Sequence, residues 1–451
     1  MINKITPLFQ ISLLWLAISG PVIAQHPVLE TYVQEGIANH PGLKQARLQL
    51  QSEQTNLAIA QRAHYPTVAV LGSYTLAAGG RAIDLPIGDL LNPVYGALNE
   101  LTQSNSFPMV ENVEEQFAPN NFIDLKVRAT APIIYPDIRL GRQAGQEKVG
   151  LQELEITRQE RDLAYRIKSA YFSYLQATEA IGVYESAREL VRENYRVSEA
   201  LLRNDKINNG PLLRAQAELA RIESELLSAQ SQQKNAAAQL NTLLNKPLNS
   251  PVTAAQLPAP DSAWLQWASR AAEGEGRTEL RQIDQAYRLN QLSRQQAENY
   301  TKPRLSAFVD AGAQGFVSTL DGNAPLVIAG VQLEWNLWNG GRNKLQAQAA
   351  DINGQQLLAR REETRNLLAL QQSVALEDAR SAYAALAAGR EEIRAAENYF
   401  ELIDKAYRQD VSSYIEWVDA RTQFTNAQLR YNLQQYELWR RLAAVEQAFG
   451  G

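Results

Sequence analysis

Residues 342–410 read RNKLQAQAADINGQQLLARREETRNLLALQQSVALEDARSAYAALAAGREEIRAAENYFELIDKAYRQD, and residues 414–449 read YIEWVDARTQFTNAQLRYNLQQYELWRRLAAVEQAF. No proline interrupts either run, and Gly354 and Gly389 are the only glycines inside them. Ala, Gln, Glu, Arg and Leu dominate, so the summed propensity predicts helix throughout. At the helical rise the outbound arm extends roughly 100 Å. A compact domain of this chain length is only a few tens of Å across, so such a hairpin projects as a coiled coil. The same pattern occurs earlier: residues 143–203 run out, Asn208-Asn209-Gly210-Pro211 breaks the helix, and residues 212–245 run back. The chain reads as a duplication.

Ahead of each hairpin the apolar period changes from helical to alternating. Ile123, Leu125, Val127, Ala129 and Ala131 alternate with Asp124, Lys126, Arg128 and Thr130. That pattern gives a strand with one apolar and one polar face, suited either to lipid on one side or to a soluble core. Val68, Val70, Tyr74 and Leu76 share a face of an earlier strand, and in the second half residues 303–314 and 325–337 alternate likewise. The expected organisation is a first repeat over 25–246, with strands at about 65–77 and 122–132, a long loop at 79–121 that carries a short amphipathic piece at Leu90 to Leu101, and a hairpin at 143–245. A Pro/Ala/Ser-rich connector at 247–275 follows, then a second repeat over 276–451 with its hairpin at 342–449. The halves align: Trp335-Asn336-Leu337-Trp338 falls on Pro132-Ile133-Ile134-Tyr135, and Arg408-Gln409-Asp410 on Arg203-Asn204-Asp205. Trp335, Trp338 and Tyr135 stand at strand ends, where an interfacial belt or simple packing would place them.

Composition narrows the function. A chain of 451 residues with 45% hydrophobic content can bury a sizeable core, and a net charge of -5 supplies no basic field for nucleic acid. There is no cysteine, and the three histidines, His26, His40 and His64, lack the spacing of a helical metal site. No catalytic constellation and no cofactor motif occurs. Lys4, the apolar run from Leu8 to Ile18 and the small-residue site Val22-Ile23-Ala24 predict a signal peptide over 1–24. Beyond it no apolar run reaches the ~20 residues of a spanning helix. Four amphipathic strands cannot stand alone in a bilayer, because open edges expose backbone polar groups to hydrocarbon; closure by several chains removes the edges.

The mature chain resembles the TolC-like outer-membrane efflux proteins. The resemblance rests on the duplicated helix, strand, strand, long-hairpin unit, on Pro66 and Pro303 at the first strand of each half, and on Leu337-Trp338-Asn339-Gly340-Gly341 after the last strand. Arg277-Thr278-Glu279-Leu280 and Asn39-His40-Pro41-Gly42-Leu43 are similar to further family segments. The resemblance implies a mainly helical chain with membrane β structure, and a homotrimer forming a twelve-stranded outer-membrane β-barrel continued by a periplasmic α-helical barrel. It also implies a passive exit duct for a tripartite efflux or type I secretion system, docked to a periplasmic membrane-fusion adaptor and an inner-membrane RND or ABC pump. Outer-membrane lipid is then a partner, and no cofactor, metal or enzymatic activity is expected. A periplasmic coiled-coil scaffold without channel activity is the alternative reading of the helices, and a general diffusion porin a third.

The resemblance also assigns site residues. Glu416 and Asp419, three apart on the returning helix, share a face and match the acidic pair that constricts the family's tunnel entrance, with Tyr407 matching a tyrosine of its closing network. From spacing alone the pair also reads as two solvated acids. Ser412 and Pro211 replace charged members of the family's latch, which leaves Arg203, Asp205, Arg408 and Asp410 as candidates for the closing and adaptor-contacting tip. Asp124, Lys126 and Arg128 are the candidate barrel-lumen residues, and the loop 79–121 is expected to be extracellular, folding over the outer mouth.

Overall fold

The computed structural model describes residues 27–116, 120–257, 276–316, 325–409 and 411–450. The expected signal peptide, most of the connector and Asp410 lie outside them. In chain order the elements are α1 (Pro27–Asn39), α2 (Pro41–Arg62), β1 (Thr67–Thr75), β2 (Ala82–Leu85), α3 (Ile87–Thr102), β3 (Val113–Gln116), β4 (Phe122–Ile134), α4 (Pro136–Arg203) and α5 (Asn209–Leu243), followed by α6 (Thr278–Glu298), β5 (Arg304–Phe316), β6 (Pro325–Glu334), α7 (Arg342–Arg408) and α8 (Tyr414–Phe449). Outbound α4 and α7 have 68 and 67 residues, and returning α5 and α8 have 35 and 36, so the two halves carry matching hairpins.

Several boundaries differ from the sequence expectation for physical reasons. Helix α4 starts at Pro136 rather than at 143, because a proline at the first helical position loses no needed N–H. Strand β4 runs past 132 to Ile134, and the ladder absorbs Pro132 at a register shift between Pro132 and Ile134. Strand β6 ends at Glu334, which leaves Trp335 and Trp338 beyond the sheet. The stretch 79–121 is not a plain loop. It holds the β2–β3 ladder and α3, whose Asn92 and Asn99 each exchange two hydrogen bonds with the backbone, of Val110 (2.9 and 2.8 Å) and Phe107 (2.7 and 3.0 Å) respectively.

Two compact units result. The first comprises residues up to 54, 147–290 and from 353 onward, and is helical. Its core joins both halves of the chain: Ile167, Tyr171 and Phe172 of α4, Leu240 of α5 and Leu438 and Trp439 of α8 are all buried. Phe172 stacks on Trp439 with centroids 5.9 Å apart. Arg277, also buried, donates through Nη1 to the carbonyls of Gln447 and Ala448, satisfying acceptors that the end of α8 leaves open.

The second unit, residues 55–146 and 291–352, contains a four-stranded antiparallel sheet in the order β1-β4-β5-β6. Strand β4 of the first half pairs with β5 of the second, and the sheet is open along β1 and β6. Register places Tyr74, Val70 and Val68 beside Ile123, Val127 and Ala129, and carries the same face through Val309 and Ala311 to Val327 and Ala329. That face is wholly apolar and largely exposed; Val68, Val70, Val127, Val327 and Leu333 all stand out from it.

Candidate functional site

The first candidate site is the tip of the helical unit. Asn208 caps α5 by accepting from the Gly210 N–H at 2.9 Å, and Ser413 caps α8. The α8 start is a full capping box. Ser413 Oγ accepts from the Glu416 N–H at 3.3 Å, and Glu416 Oε2 accepts from the Ser413 N–H at 2.7 Å. Glu416 therefore has a local structural task beside any role at an opening. Asp419, also exposed, accepts from Gln423 Nε2 at 2.7 Å, and the two carboxylates share the open side of α8.

Tyr407 sits in an aromatic cluster, with its ring 6.2 Å from Tyr414 and 5.9 Å from Trp417, and Trp417 Nε1 donates to Asp404 at 2.9 Å. Arg408 pairs with the same Asp404 at 2.8 Å, and Arg203 pairs with Glu199 at 3.1 Å, so each tip arginine has an acidic partner on its own helix. Asp205 takes a left-handed conformation with φ of 54°, the geometry that turns the chain after α4. Between the hairpins lies a groove of about 610 Å³, lined by Leu190, Val197 and Pro211 on one side and Tyr407, Tyr414 and Trp417 on the other.

Behind this groove the structure places a contact that residue spacing could not reveal. Arg421 of α8, 1% exposed, donates to Glu218 of α5, and Glu218 also accepts two bonds from Arg221, at 3.1 and 2.6 Å. Burial would raise the Glu218 pKa, but the hydrogen bond from Arg221 and the charge of Arg421 outweigh it and hold the carboxyl below its ordinary value. Burial also pushes the nearby Tyr414 hydroxyl up to about 12. The carboxylate thus stays ionised at neutral pH and ties the two hairpins together.

The second candidate site is the polar face of the sheet. Asp124, Lys126 and Arg128 follow one another on it, with Lys126 Nζ 2.7 Å from Asp124. Arg128 is paired across the β4–β5 seam: its Nε and Nη2 each donate at 2.7 Å to the two oxygens of Asp310, and its guanidinium lies 5.0 Å from the Phe308 ring. Asp310 was not among the residues singled out from sequence, since its partner is 182 positions away. Among the described residues no group of His, Cys, Asp and Glu is arranged to hold a metal, and no helix is long and apolar enough to cross a membrane.

Residues 273–451 match the family described as outer membrane efflux protein. No curated protein sequence matches the chain. Among solved structures, the outer-membrane channel OprN superposes with a TM-score of 0.73 at 16% identity, covering 95% of this chain and 91% of its own. The outer membrane protein VceC of Vibrio cholerae gives 0.71 at 16%, covering 94% and 96%, and the CmeC outer membrane channel of Campylobacter jejuni gives 0.72 at 15%, covering 94% and 86%. At these identities the superpositions establish a common fold. The resemblance drawn from the sequence holds: the second repeat carries the outer-membrane efflux family's pattern, and the whole chain has the TolC-like fold. The solved structures so matched are outer-membrane channels and an outer membrane protein, and what this chain shares with them is the fold.

Proposed function

We propose that the chain is the exit duct of a tripartite efflux or type I secretion machine, passing small molecules or polypeptides passively from an inner-membrane RND or ABC pump and its periplasmic adaptor to the exterior. One observation carries this reading: every charged residue of the four strands lies on one face of the sheet, and the opposite face is apolar and uncovered. An apolar exposed face of this extent needs a solvent other than water, and a sheet open at both edges needs a partner strand on each side. Three copies, joined through β1 of one and β6 of the next, would close twelve strands into a barrel with the charged face inward.

The tip completes the proposal. Glu416 and Asp419, repeated by a three-fold axis, would ring the periplasmic entrance with carboxylates and favour cations. The groove between Pro211 and Trp417, with Arg408 in its lining, is the concave surface against which an adaptor would dock, and Arg203, Asp205 and Asp410 are the further candidate contacts. The test is single-channel conductance of the purified protein in a planar bilayer, beside a variant carrying Glu416→Gln and Asp419→Asn. These substitutions remove charge while leaving Gln able to complete the capping box. A small cation-selective conductance that grows and loses selectivity in the variant supports the duct and its acidic entrance. A protein that stays in solution without detergent and never conducts would instead be the periplasmic scaffold.

A further inference from the structure

The charged residues of the four-stranded sheet are Asp124, Lys126, Arg128, Arg304, Asp310 and Glu334. Register puts all of them on one face: Arg128 stands opposite Asp310, Arg304 opposite Glu334, and Asp124 and Lys126 follow Arg128 at the two-residue period of β4. Cations and carboxylates are equal in number, three of each, and they are paired. Lys126 meets Asp124 at 2.7 Å, Arg128 meets Asp310 through two bonds of 2.7 Å, and Arg304 lies 3.8 Å from Glu334 and 2.7 Å from Asp137. The Arg128–Asp310 pair is the most enclosed of these, with Asp310 only 2% exposed beneath the guanidinium.

Pairing has a consequence for anything that crosses this face. A ring of like charges projects a net potential into a pore and selects by sign, whereas a compensated pair projects only a dipole, which salt screens within a Debye length of roughly 8 Å. We infer that Asp310 is a specificity-determining residue of the duct: by neutralising Arg128 it keeps the barrel lumen indifferent to the sign of its cargo's charge, so that cationic and anionic solutes pass the barrel alike. The inference rests on the reading of the charged face as the lumen of a trimeric barrel. It leaves selection by charge to the carboxylates at the helical tip.

The test is the zero-current potential across a planar bilayer in a potassium chloride gradient, for the parent chain, Asp310→Asn, Arg128→Gln and the double variant. Asp310→Asn leaves one uncompensated guanidinium per chain at a single level of the lumen, and its potential is expected to shift toward the chloride equilibrium potential. Arg128→Gln shifts it the opposite way, and the double variant returns to the parent value. Should Asp310→Asn fail to assemble, the opposed behaviour of Arg128→Gln and the double variant still decides the matter. Single variants that conduct with the parent potential, while Glu416→Gln with Asp419→Asn changes it, overturn the inference and leave the duct standing. A parent chain that never conducts overturns the duct reading itself.

Discussion

At the scale of single residues, ion pairs join elements that are far apart in sequence. Glu218 and Arg421, one from each hairpin, form a buried pair in which a lone carboxylate serves two guanidiniums. Replacing one member leaves the other charge buried without its counter-ion. Glu218→Gln is therefore expected to lower the stability of the helical unit by about 3 kcal/mol in denaturant unfolding followed by helical circular dichroism; a loss no larger than that of a surface glutamate would contradict it. Glu155 offers a pH test. Hydrogen bonds from Arg158 dominate and those from Gln159 and Gln282 add to them, against a burial effect of opposite sign, and they hold its carboxyl at about 2, against an ordinary 4.5. A depressed carboxylate contributes stability that is complete above its unfolded value and is lost as pH falls through the folded one, here between about 4.5 and about 2. Glu155→Gln is expected to flatten the pH dependence of stability in that window and to lower the melting temperature most near neutrality, where the contribution it removes is complete. Arg158, Gln159 and Arg221 stand three or four residues from their carboxylates on the same helix, but the contacts of Arg421 with Glu218 and of Gln282 with Glu155 were not legible in the sequence, because they depend on which helices meet. Asp124, Lys126 and Arg128 were legible as a charged face, but Asp310, in the other half of the chain, was not.

At the scale of elements, local chemistry explains both what could be read and what could not. The long helices announced themselves by propensity and by the absence of proline, and the strands by strict alternation. Pro132 reads as a strand end, yet the ladder carries it at a bulge, where a missing N–H costs nothing. In the stretch 79–121 the amphipathic piece 90–101 was legible and falls within α3, whereas β2 and β3 have four residues each, too few to show a period. What orders it is side-chain to backbone bonding from Asn92 and Asn99. Changing both to Ala is expected to release the segment 103–112, which hydrogen exchange would register as lost protection at Phe107 and Val110 with the sheet unaffected. At the start of α8, Ser413→Ala removes the acceptor of the capping box and is expected to cost about 1 kcal/mol. Glu416→Gln, which keeps the reciprocal bond, is expected to cost much less, so a channel effect of that variant reports charge rather than fraying.

At the scale of the whole molecule, the two halves are built alike. Equal hairpins in the two halves bury their shared face around Tyr171, Phe172 and Trp439, and the two pairs of strands meet at the β4–β5 seam. The described chain leaves the apolar side of the sheet uncovered, and the sheet's edges β1 and β6 are left to pair. The proposed duct requires that these edges join between copies. Because the chain contains no cysteine, paired substitutions such as Val70→Cys on β1 and Ala329→Cys on β6 introduce the only thiols. The most direct measurement is cross-linking of this double variant in the membrane with a short membrane-permeable bis-maleimide, read on a denaturing gel. The account predicts covalent dimers and closed trimers that depend on both cysteines; a chain that remains monomeric under the same treatment, while both thiols react with a monofunctional maleimide, would contradict it.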